Sequence, residues 1–488
     1  MSTTQSGIEA HSFDHIPESE RSGTVGGQFK FWFMVNATLI TAYTGAVGSL
    51  FGLGLPASLV AIVLGTAFGT LFQAFHGAQG PHMGLPQMIQ SRVQFGSRGA
   101  VVPIAVAAIV PIGFSVFYLQ TGAEAAKSLV PVSVNPIVVV LGAAAGVLAI
   151  VGYHWIVRAE GIIAYVMVIN LVALTVAALT TLPVGHLLSN TAVTATGFLA
   201  QFGAAAGYQI AIAPIVSDYT RYLPHDTGTR AVSAAVFIGT SVSAIWIESL
   251  GALVSLSFPD LDVISGIRQL GDDAGFALGT LTMVVAAIVC LVTAAISLYS
   301  GSVSFLSGVE SFRPIRSSRS LRIRTLIAIT AAVVITGLLL PSDMLTTFSV
   351  FLSLLGYLLI PWTAVNLTDY YFVRKGLYSI TDILKTDGGI YGRWGRRGLA
   401  AYLVGFIAMI PFFSTSLYTG PAAHALGGAD VAFVVGLAVS SIWYVVSMRS
   451  VDLDAEAAAV EAAPLHTATI VTKPRPAELI TEGASYDS

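Results

Sequence analysis

Charged side chains are scarce in this chain, and their scarcity excludes most classes of protein. Asp, Glu, Lys and Arg make up 10% of the 488 residues, whereas hydrophobic residues make up 55%. Soluble domains carry about 25% charged residues, and the mean hydropathy here is +0.79. A soluble globule is therefore excluded. The composition predicts an all-α integral membrane protein whose main partner is the lipid bilayer.

Cysteine and the signatures of catalysis are scarce too. Cys290 is the single cysteine, which excludes an internal disulfide framework. The sequence shows no metal-ligand spacing, no serine-nucleophile elbow, no phosphate-binding glycine loop and no nucleotide-binding domain. We therefore do not expect an enzyme, a primary pump or a receptor. We also expect no cofactor, no nucleic-acid partner and a monomeric functional unit.

Long apolar segments, in contrast, are abundant. A helix needs about 20 predominantly apolar residues to cross a bilayer. Twelve segments meet this requirement, at residues 31–53, 55–75, 101–126, 136–157, 161–182, 193–217, 231–257, 276–306, 325–340, 344–365, 399–418 and 429–448.

Positive charge is distributed unevenly between the segments that connect these spans. Lys127 and Arg268 lie on one side, and the remainder of the 23 Lys and Arg residues lie on the other, together with both chain ends. Because positive charge is retained on the cytosolic side, both termini are predicted to be cytosolic and the membrane is predicted to be the cytoplasmic one.

The predicted membrane domain, 31–448, is flanked by two polar tails. Residues 1–30 show no short apolar region with a cleavage site, so we expect a cytosolic tail without a cleaved signal peptide. Residues 449–488 are rich in alanine and acidic side chains, and we expect them to be cytosolic and disordered.

Span 6 has an unusual centre. Gly203, Gly207, Tyr208, Gln209 and Pro214 interrupt its apolar run. Span 1 is also polar at its centre, from Thr41 to Gly45, and the charge distribution gives spans 1–5 and 6–10 opposite orientations. Matching interruptions in two inverted halves indicate the binding site of a secondary transporter.

Three short motifs point to a family. Residues 84–96 contain Gly-Leu-Pro-Gln-Met and Ser-Arg-Val-Gln-Phe-Gly, residues 217–224 read Ser-Asp-Tyr-Thr-Arg-Tyr-Leu-Pro, and residues 366–374 read Asn-Leu-Thr-Asp-Tyr-Tyr-Phe-Val-Arg. In this order, on twelve spans, they resemble the purine-cytosine permeases of the nucleobase:cation symporter-1 family. The resemblance implies a five-plus-five inverted repeat of the leucine-transporter type, followed by two C-terminal helices.

The resemblance also implies a function. Members of this family import nucleobases, such as cytosine or a purine, together with H⁺ or Na⁺. The same fold with allantoin, a hydantoin or a vitamin-like heterocycle as cargo is the alternative. A flat heterocycle with donors and acceptors on its rim requires a stacking surface and a few amides or hydroxyls in a mostly apolar pocket.

Spans 3 and 6 carry residues of these types. On span 6, Tyr208 provides a ring and Gln209 an amide, and Gly207 permits close approach to the backbone. On span 3, the resemblance places an aromatic platform at Phe114 and a polar side chain at Tyr118. Gln120 is a further candidate on this span. Ordinary packing aromatics are the alternative explanation for these rings.

Span 8 carries candidates for ion and substrate contacts by resemblance, at Thr293, Ser297 and Tyr299. Sodium-coupled members have adjacent hydroxyl groups here, whereas this chain has alanine at 294 and 295. Span 1, including Thr41 and Gly45, would have to supply most of the oxygen ligands. This departure weakens a sodium site and favours coupling to H⁺.

Three of the charged side chains in or next to the spans are candidate functional residues. Glu248 lies within span 7, where an acidic residue is rare and points to function. It is a candidate carrier of a coupling proton, and a buried structural glutamate is the alternative. Asp218 and Arg221, three residues apart at the inner end of span 6, are expected to fix that helix end or to form an inner gate.

Overall fold

Helices account for almost all regular structure in this computed structural model, which describes residues 15–151, 153–312, 319–341, 343–468 and 470. Each predicted span contains a helix. In chain order, the main helices of spans 1 to 12 are Val25–Val35 with Leu39–Ala46, Leu55–Gly77, Val101–Lys127, Val134–Val151, Tyr153–Thr181, Ala195–Ile210 with Val216–Thr220, Thr229–Ser257, Leu278–Glu310, Arg319–Leu339, Met344–Thr368, Arg396–Met409 and Ala432–Met448.

The apolar surfaces of these helices explain how they lie in a bilayer. Among the described residues, seven helices are long and apolar enough to cross a membrane alone. Side chains such as Ile169, Leu179 and Ile442 are exposed, as expected where lipid tails replace water. The composition therefore predicts the class of fold correctly.

Span 1 is broken, although not where its sequence suggests. The helices Val25–Val35 and Leu39–Phe51 meet at 65°, so the break lies at 36–38, before the predicted polar centre from Thr41 to Gly45. Asn36 stabilises the break because its Nδ2 donates to the carbonyl oxygen of Thr240 at 3.0 Å. The hydroxyl of Thr41 donates to the carbonyl oxygen of Asn36 at 2.8 Å.

Span 6 is also broken, at Pro214, the last of its predicted interruptions. Its first helix continues through Gly203 and Gly207 and ends at Ile210. A 3₁₀ turn containing Pro214 follows, and Val216 begins a second, short helix. Proline lacks a backbone N–H and fixes its own φ angle, which accounts for the position of the break. Gln209 therefore occupies the last turn before the break.

Several of the connectors between spans fold into further short helices. Between spans 2 and 3 the chain forms three short helices, Gln79–Met83, Gln87–Gln90 and Arg92–Phe95. Their glutamines are almost fully buried. The connector after span 7 forms a further helix, Val263–Ala274, which is capped by Asp262 and was not predicted.

The tails are more ordered than their composition suggests. Residues 15–24 are described, and the backbone N–H of Ile16 donates to the carbonyl oxygen of Gly84 at 3.0 Å. At the other end, Leu453–Glu461 is helical, and the Thr467 hydroxyl donates to the carbonyl oxygen of Gly376 at 2.6 Å. The prediction of a disordered tail from residue 449 is wrong for 453–468, because these residues find partners on the folded domain. Residues 471–488 lie outside the described part.

Candidate functional site

Aromatic rings from spans 3, 6 and 10 meet between the two broken helices. The ring of Phe114 lies 5.6 Å from that of Tyr208, edge to face at 79°. Phe114 also lies 6.3 Å from Phe348 and 5.3 Å from Phe351. Phe114, Tyr208 and Phe348 are buried. The structure thus brings together the predicted ring of span 3 and that of span 6, and it adds two rings of span 10 that the sequence analysis missed.

The hydroxyl of Tyr208 connects span 6 to the break in span 1. It lies 3.0 Å from the hydroxyl of Thr41, and Thr41 in turn donates to the carbonyl oxygen of Asn36. Two sequence candidates that were assigned to different roles therefore lie side by side. A movement at either break would reach the other through this pair.

Gln209 is the most unusual polar side chain of this region. It is fully buried, yet neither its amide oxygen nor its amide nitrogen has a hydrogen-bond partner among the described residues. Leaving a buried polar group unsatisfied costs about 1–3 kcal/mol. A fold retains such a group at this cost where a function requires it. An amide can both donate and accept, which suits a ligand whose edge carries both kinds of group.

Not all predicted site residues face this region. Tyr118 does, with its ring 6.2 Å from that of Phe114. Gln120 does not, because its amide donates to the carbonyl oxygen of Gly337 on span 9. Gln120 is thus paired with span 9 and not grouped with Phe114 and Tyr118. The reason is helical rotation, which turns residue 120 about 200° from residue 118 on the same helix.

The candidates on span 8 are dispersed. The Thr293 hydroxyl donates to the carbonyl oxygen of Val289, within its own helix, at 2.9 Å. Ser297 is half-buried one turn further on. Tyr299 accepts a hydrogen bond from Arg322 at 3.1 Å, and the guanidinium of Arg322 lies 5.4 Å from its ring centre. Tyr299 thus pairs with a cation at the start of span 9, and its predicted contact with substrate stays a prediction.

Glu248 is buried in the contact between spans 1, 2 and 7. One carboxylate oxygen accepts from the hydroxyl of Thr66 at 2.8 Å, and the other has no partner among the described residues. A side chain at Gly45 would clash with the backbone of Glu248. Glycine at this position therefore allows span 1 to lie directly against the acidic residue.

A cavity of about 430 Å³ lies on the opposite face of span 6, between spans 6, 10 and 12. Gly207 and Ile210 line it, together with Ser353, Gly356 and Asp430. Its lining does not include the rings of Phe114 and Tyr208 or the amide of Gln209. We place the candidate site at Gln209, because the amide there is unpaired, whereas Asp430 is hydrogen-bonded to Ser414 and Ala432.

The three motifs meet in one buried network at the end of the protein that is predicted to be cytosolic, called the inner end below. Gln87 donates to Nδ1 of His76 at 3.1 Å and accepts from the hydroxyl of Ser217 at 2.6 Å. Gln79 donates to Asn366 at 3.0 Å. Residues from each motif thus share hydrogen bonds although they are far apart in sequence. His76 and Gln79 were not predicted, since an isolated polar residue in a connector carries no signal by itself.

The two charged residues of the second motif hold the same region together. Asp218 accepts from the backbone N–H of Gln87 at 2.9 Å, and Nε of Arg221 donates to the carbonyl oxygen of Asp218 at 3.2 Å. Arg221 is almost fully buried, and its guanidinium lies 5.2 Å from the ring centre of Tyr222. Both residues thus lie at the end of span 6, where it packs against the connector that follows span 2.

The third motif ends in a buried ion pair. Arg374 lies 2.6 Å from Asp369 and 2.5 Å from Glu456 of the C-terminal helix. Asp369 also accepts from Gln94 at 2.8 Å and from Tyr444 at 2.9 Å. Each carboxylate oxygen is therefore hydrogen-bonded, which is what a buried charge requires.

Two broken helices facing each other at the centre of a helical membrane domain define a secondary transporter of the inverted-repeat type. Residues 15–436 match the family described as permeases for cytosine/purines, uracil, thiamine and allantoin, and this chain belongs to that family. The prediction from the three motifs is thereby confirmed.

Relatives from bacteria and fungi agree. The chain is 35% identical over 445 residues to a putative purine-cytosine permease of Bacillus subtilis, YxlA. The aligned region covers 91% of this chain and 96% of the relative. It is 23% identical over 473 residues to the purine-cytosine permease fcyB of Emericella nidulans, over 90% of this chain and 87% of the relative.

Solved structures confirm the fold. Mhp1, a nucleobase-cation-symport-1 family transporter in a closed conformation with bromovinylhydantoin bound, superposes with a TM-score of 0.72 at 18% identity. The match covers 93% of this chain and 98% of Mhp1. A manganese transporter of Eremococcus coleocola is more distant, with a TM-score of 0.53 at 14% identity over 90% of this chain and 99% of that one. The fold is thus the five-plus-five inverted repeat with two C-terminal helices.

Proposed function

We propose that this protein imports a nucleobase, such as cytosine or a purine, across the cytoplasmic membrane by symport with H⁺. The relatives named as purine-cytosine permeases support the cargo. The observation that carries the proposal is Gln209, a fully buried amide without a protein partner, directly after the ring of Tyr208. The rim of a nucleobase supplies both the donor and the acceptor that this amide requires.

The aromatic residues complete the proposed site. Phe114 and Tyr208 are the stacking surfaces, and Tyr118 contacts the rim of the base. Stacking of a base on an aromatic side chain is worth about 1–3 kcal/mol. Gly207 packs against the backbone of Leu352, so it lets span 10 close over the ligand. Ser297 is a further contact from span 8.

A cyclic ureide is the second candidate cargo, because a hydantoin is bound to Mhp1. Hydantoins, allantoin and uracil all present N–H next to C=O, the pattern that a glutamine amide pairs with. The single six-membered ring of Phe114 favours a small heterocycle.

For the coupling ion, we propose H⁺ carried by Glu248. The carboxyl group has one oxygen without a protein partner and lies against Gly45 of span 1. Thr41 links that span to Tyr208. Na⁺ is less suited, since Thr293 is engaged within its own helix and alanine occupies 294 and 295. Asp218 and Arg221 would hold the inner end of span 6 as part of a gate.

Uptake of radiolabelled cytosine, adenine, hypoxanthine, uracil and allantoin by cells expressing the chain tests this function. We expect uptake of at least one of the first three. Gln209→Ala should abolish that uptake and leave the amount of protein in the membrane unchanged, because no protein hydrogen bond is lost. Normal uptake by this variant would remove Gln209 from the site, and no uptake of any compound by the unmodified protein would refute the proposed function.

Changing the ion gradient across the membrane tests which ion is coupled to uptake. Uptake should rise with an inward pH gradient and collapse with a protonophore, in the absence of Na⁺. Uptake that requires Na⁺ and ignores the protonophore would assign the coupling to a sodium site instead.

A further inference from the structure

Span 2 presents a stripe of polar residues to span 7 and to the break in span 1. Thr66, Thr70 and Gln73 are separated by four and three residues, so they lie on one face of the helix. All three are fully buried. In a helix that crosses a membrane, such a stripe must find partners, because lipid offers none.

Both ends of the stripe are anchored on span 7. At one end, Thr66 donates to the carboxylate of Glu248 at 2.8 Å. At the other end, two turns nearer the inner network, Gln73 donates to the hydroxyl of Thr240 at 3.3 Å. The carbonyl oxygen of Thr240 also accepts from Asn36, at the break in span 1.

At and between these anchors, four buried polar atoms have no partner among the described residues. They are one carboxylate oxygen of Glu248, the hydroxyl of Thr70, the amide oxygen of Gln73 and the amide oxygen of Asn36, each lacking a partner among the described residues. Buried polar groups are almost always satisfied by protein or by ordered water. Several such atoms in succession match the requirement of a buried water, which makes about three hydrogen bonds.

The stripe continues toward the inner network. His76 follows Gln73 by one turn and is hydrogen-bonded to Thr363 and to Gln87. With both chain ends on the cytosolic side, span 2 runs inward. The polar atoms therefore extend from Glu248, near the middle of the membrane, to the cytosolic end.

We propose that spans 2 and 7 enclose a chain of water molecules that carries the coupling proton between Glu248 and the cytosol, past Thr70 and Gln73. This inference rests on the proposed function and adds the route to it. In each step a water or hydroxyl group accepts one proton and releases another, so no oxidant or other reactant is required. Tyr208 is a titratable side chain on span 6, and its hydroxyl is already paired with Thr41.

Thr70 is the best position for a test, because it lies outside the proposed substrate site and its hydroxyl bonds to no described residue. Thr70→Val removes the hydroxyl and conserves the shape, and Thr70→Ser restores it. Purified full-length protein is placed in liposomes that contain a pH-sensitive dye. The substrate is radiolabelled cytosine, or the base that cells expressing the protein take up if they do not take up cytosine. The first rate measured is proton entry driven by the base. The second is the exchange of internal for external base, which requires no net proton movement.

We expect Thr70→Val to lower proton entry and accumulation driven by a pH gradient by at least about fivefold, the equivalent of one lost hydrogen bond. Exchange should remain within about twofold, and Thr70→Ser should restore proton entry. Unchanged proton entry in Thr70→Val, with intact exchange, would overturn the route. Equal loss of both rates would overturn it as well, since that result indicates a packing defect. Absence of exchange by the unmodified protein would refute the proposed function and the route with it.

Discussion

The centre of this molecule and its inner end treat buried amides in opposite ways. At the inner end, Gln87 makes three side-chain hydrogen bonds, to His76, Gln79 and Ser217. At the centre, Gln209 makes none with the described residues. Both are fully buried glutamines. Gln87, in one of the motifs by which the family is recognised, therefore uses its amide to stabilise the fold. The amide of Gln209 is not used in this way.

The largest effect is expected where a charge is buried in the inner network. Asp369→Ala removes the carboxylate that pairs with Arg374 and accepts from Tyr378 and Tyr444. Loss of one partner of a buried ion pair costs about 3–5 kcal/mol. We expect little folded protein, measured by thermal unfolding in detergent and by the amount extracted from membranes. Asp369→Asn, which retains the shape of the side chain, should lower the stability less.

A stable Asp369→Ala variant would show that the inner network is not structural. Its role would then have to be sought in transport, and the contrast with the centre would disappear.

A matched pair of substitutions tests the comparison itself. Gln87→Leu removes three hydrogen bonds and takes away the partner of Nδ1 of His76 and of the amide oxygen of Gln79. We expect a loss of about 2–3 kcal/mol in the free energy of unfolding. Gln209→Leu leaves no described group without a partner. It should keep or raise the melting temperature while uptake is lost.

The two variants must be measured in the same detergent, by melting temperature and by uptake. The opposite pattern, with an unstable Gln209→Leu and a stable but inactive Gln87→Leu, would exchange the roles of the two regions.

The smallest effect is expected at the contact between the C-terminal helix and the third motif. Glu456 pairs with Arg374 at 2.5 Å, and its side chain is 16% exposed. Arg374 keeps its ion pair with Asp369 when Glu456 is neutralised. Glu456→Gln should therefore lower the free energy of unfolding by about 1 kcal/mol or less. The loss should be smaller at high salt. Leu453→Ala, on the same helix, is the control for a packing effect without a change of charge.

Sequence patterns predicted the helices better than the breaks between them. Each of the twelve predicted spans holds a helix, because apolar length is a local property of the chain. The break at 36–38 lies before the predicted polar centre of span 1, whereas the break at 211–215 contains Pro214, one of the predicted interruptions. Gly203 and Gly207 remain helical. At Gly207 a side chain would press on the backbone of Leu352, so this glycine provides space rather than a bend.

The candidate site was predicted in part. Phe114 and Tyr208, predicted to contact substrate, lie together with Thr41, predicted to serve coupling. Gln120 and Tyr299 are paired with span 9 instead, because the sequence places a residue on a helix but does not specify which neighbour that helix face meets. Phe348 and Phe351 were missed for the same reason.

Hydrophobic length, charge distribution and short motifs are properties of neighbouring residues, so they can be read along the chain. They sufficed to predict a helical membrane protein of a permease family. Which polar side chains are satisfied emerges only in the folded protein. Gln87 and Gln209 are the same residue type, and whether an amide is paired depends on the distant segments that pack around it.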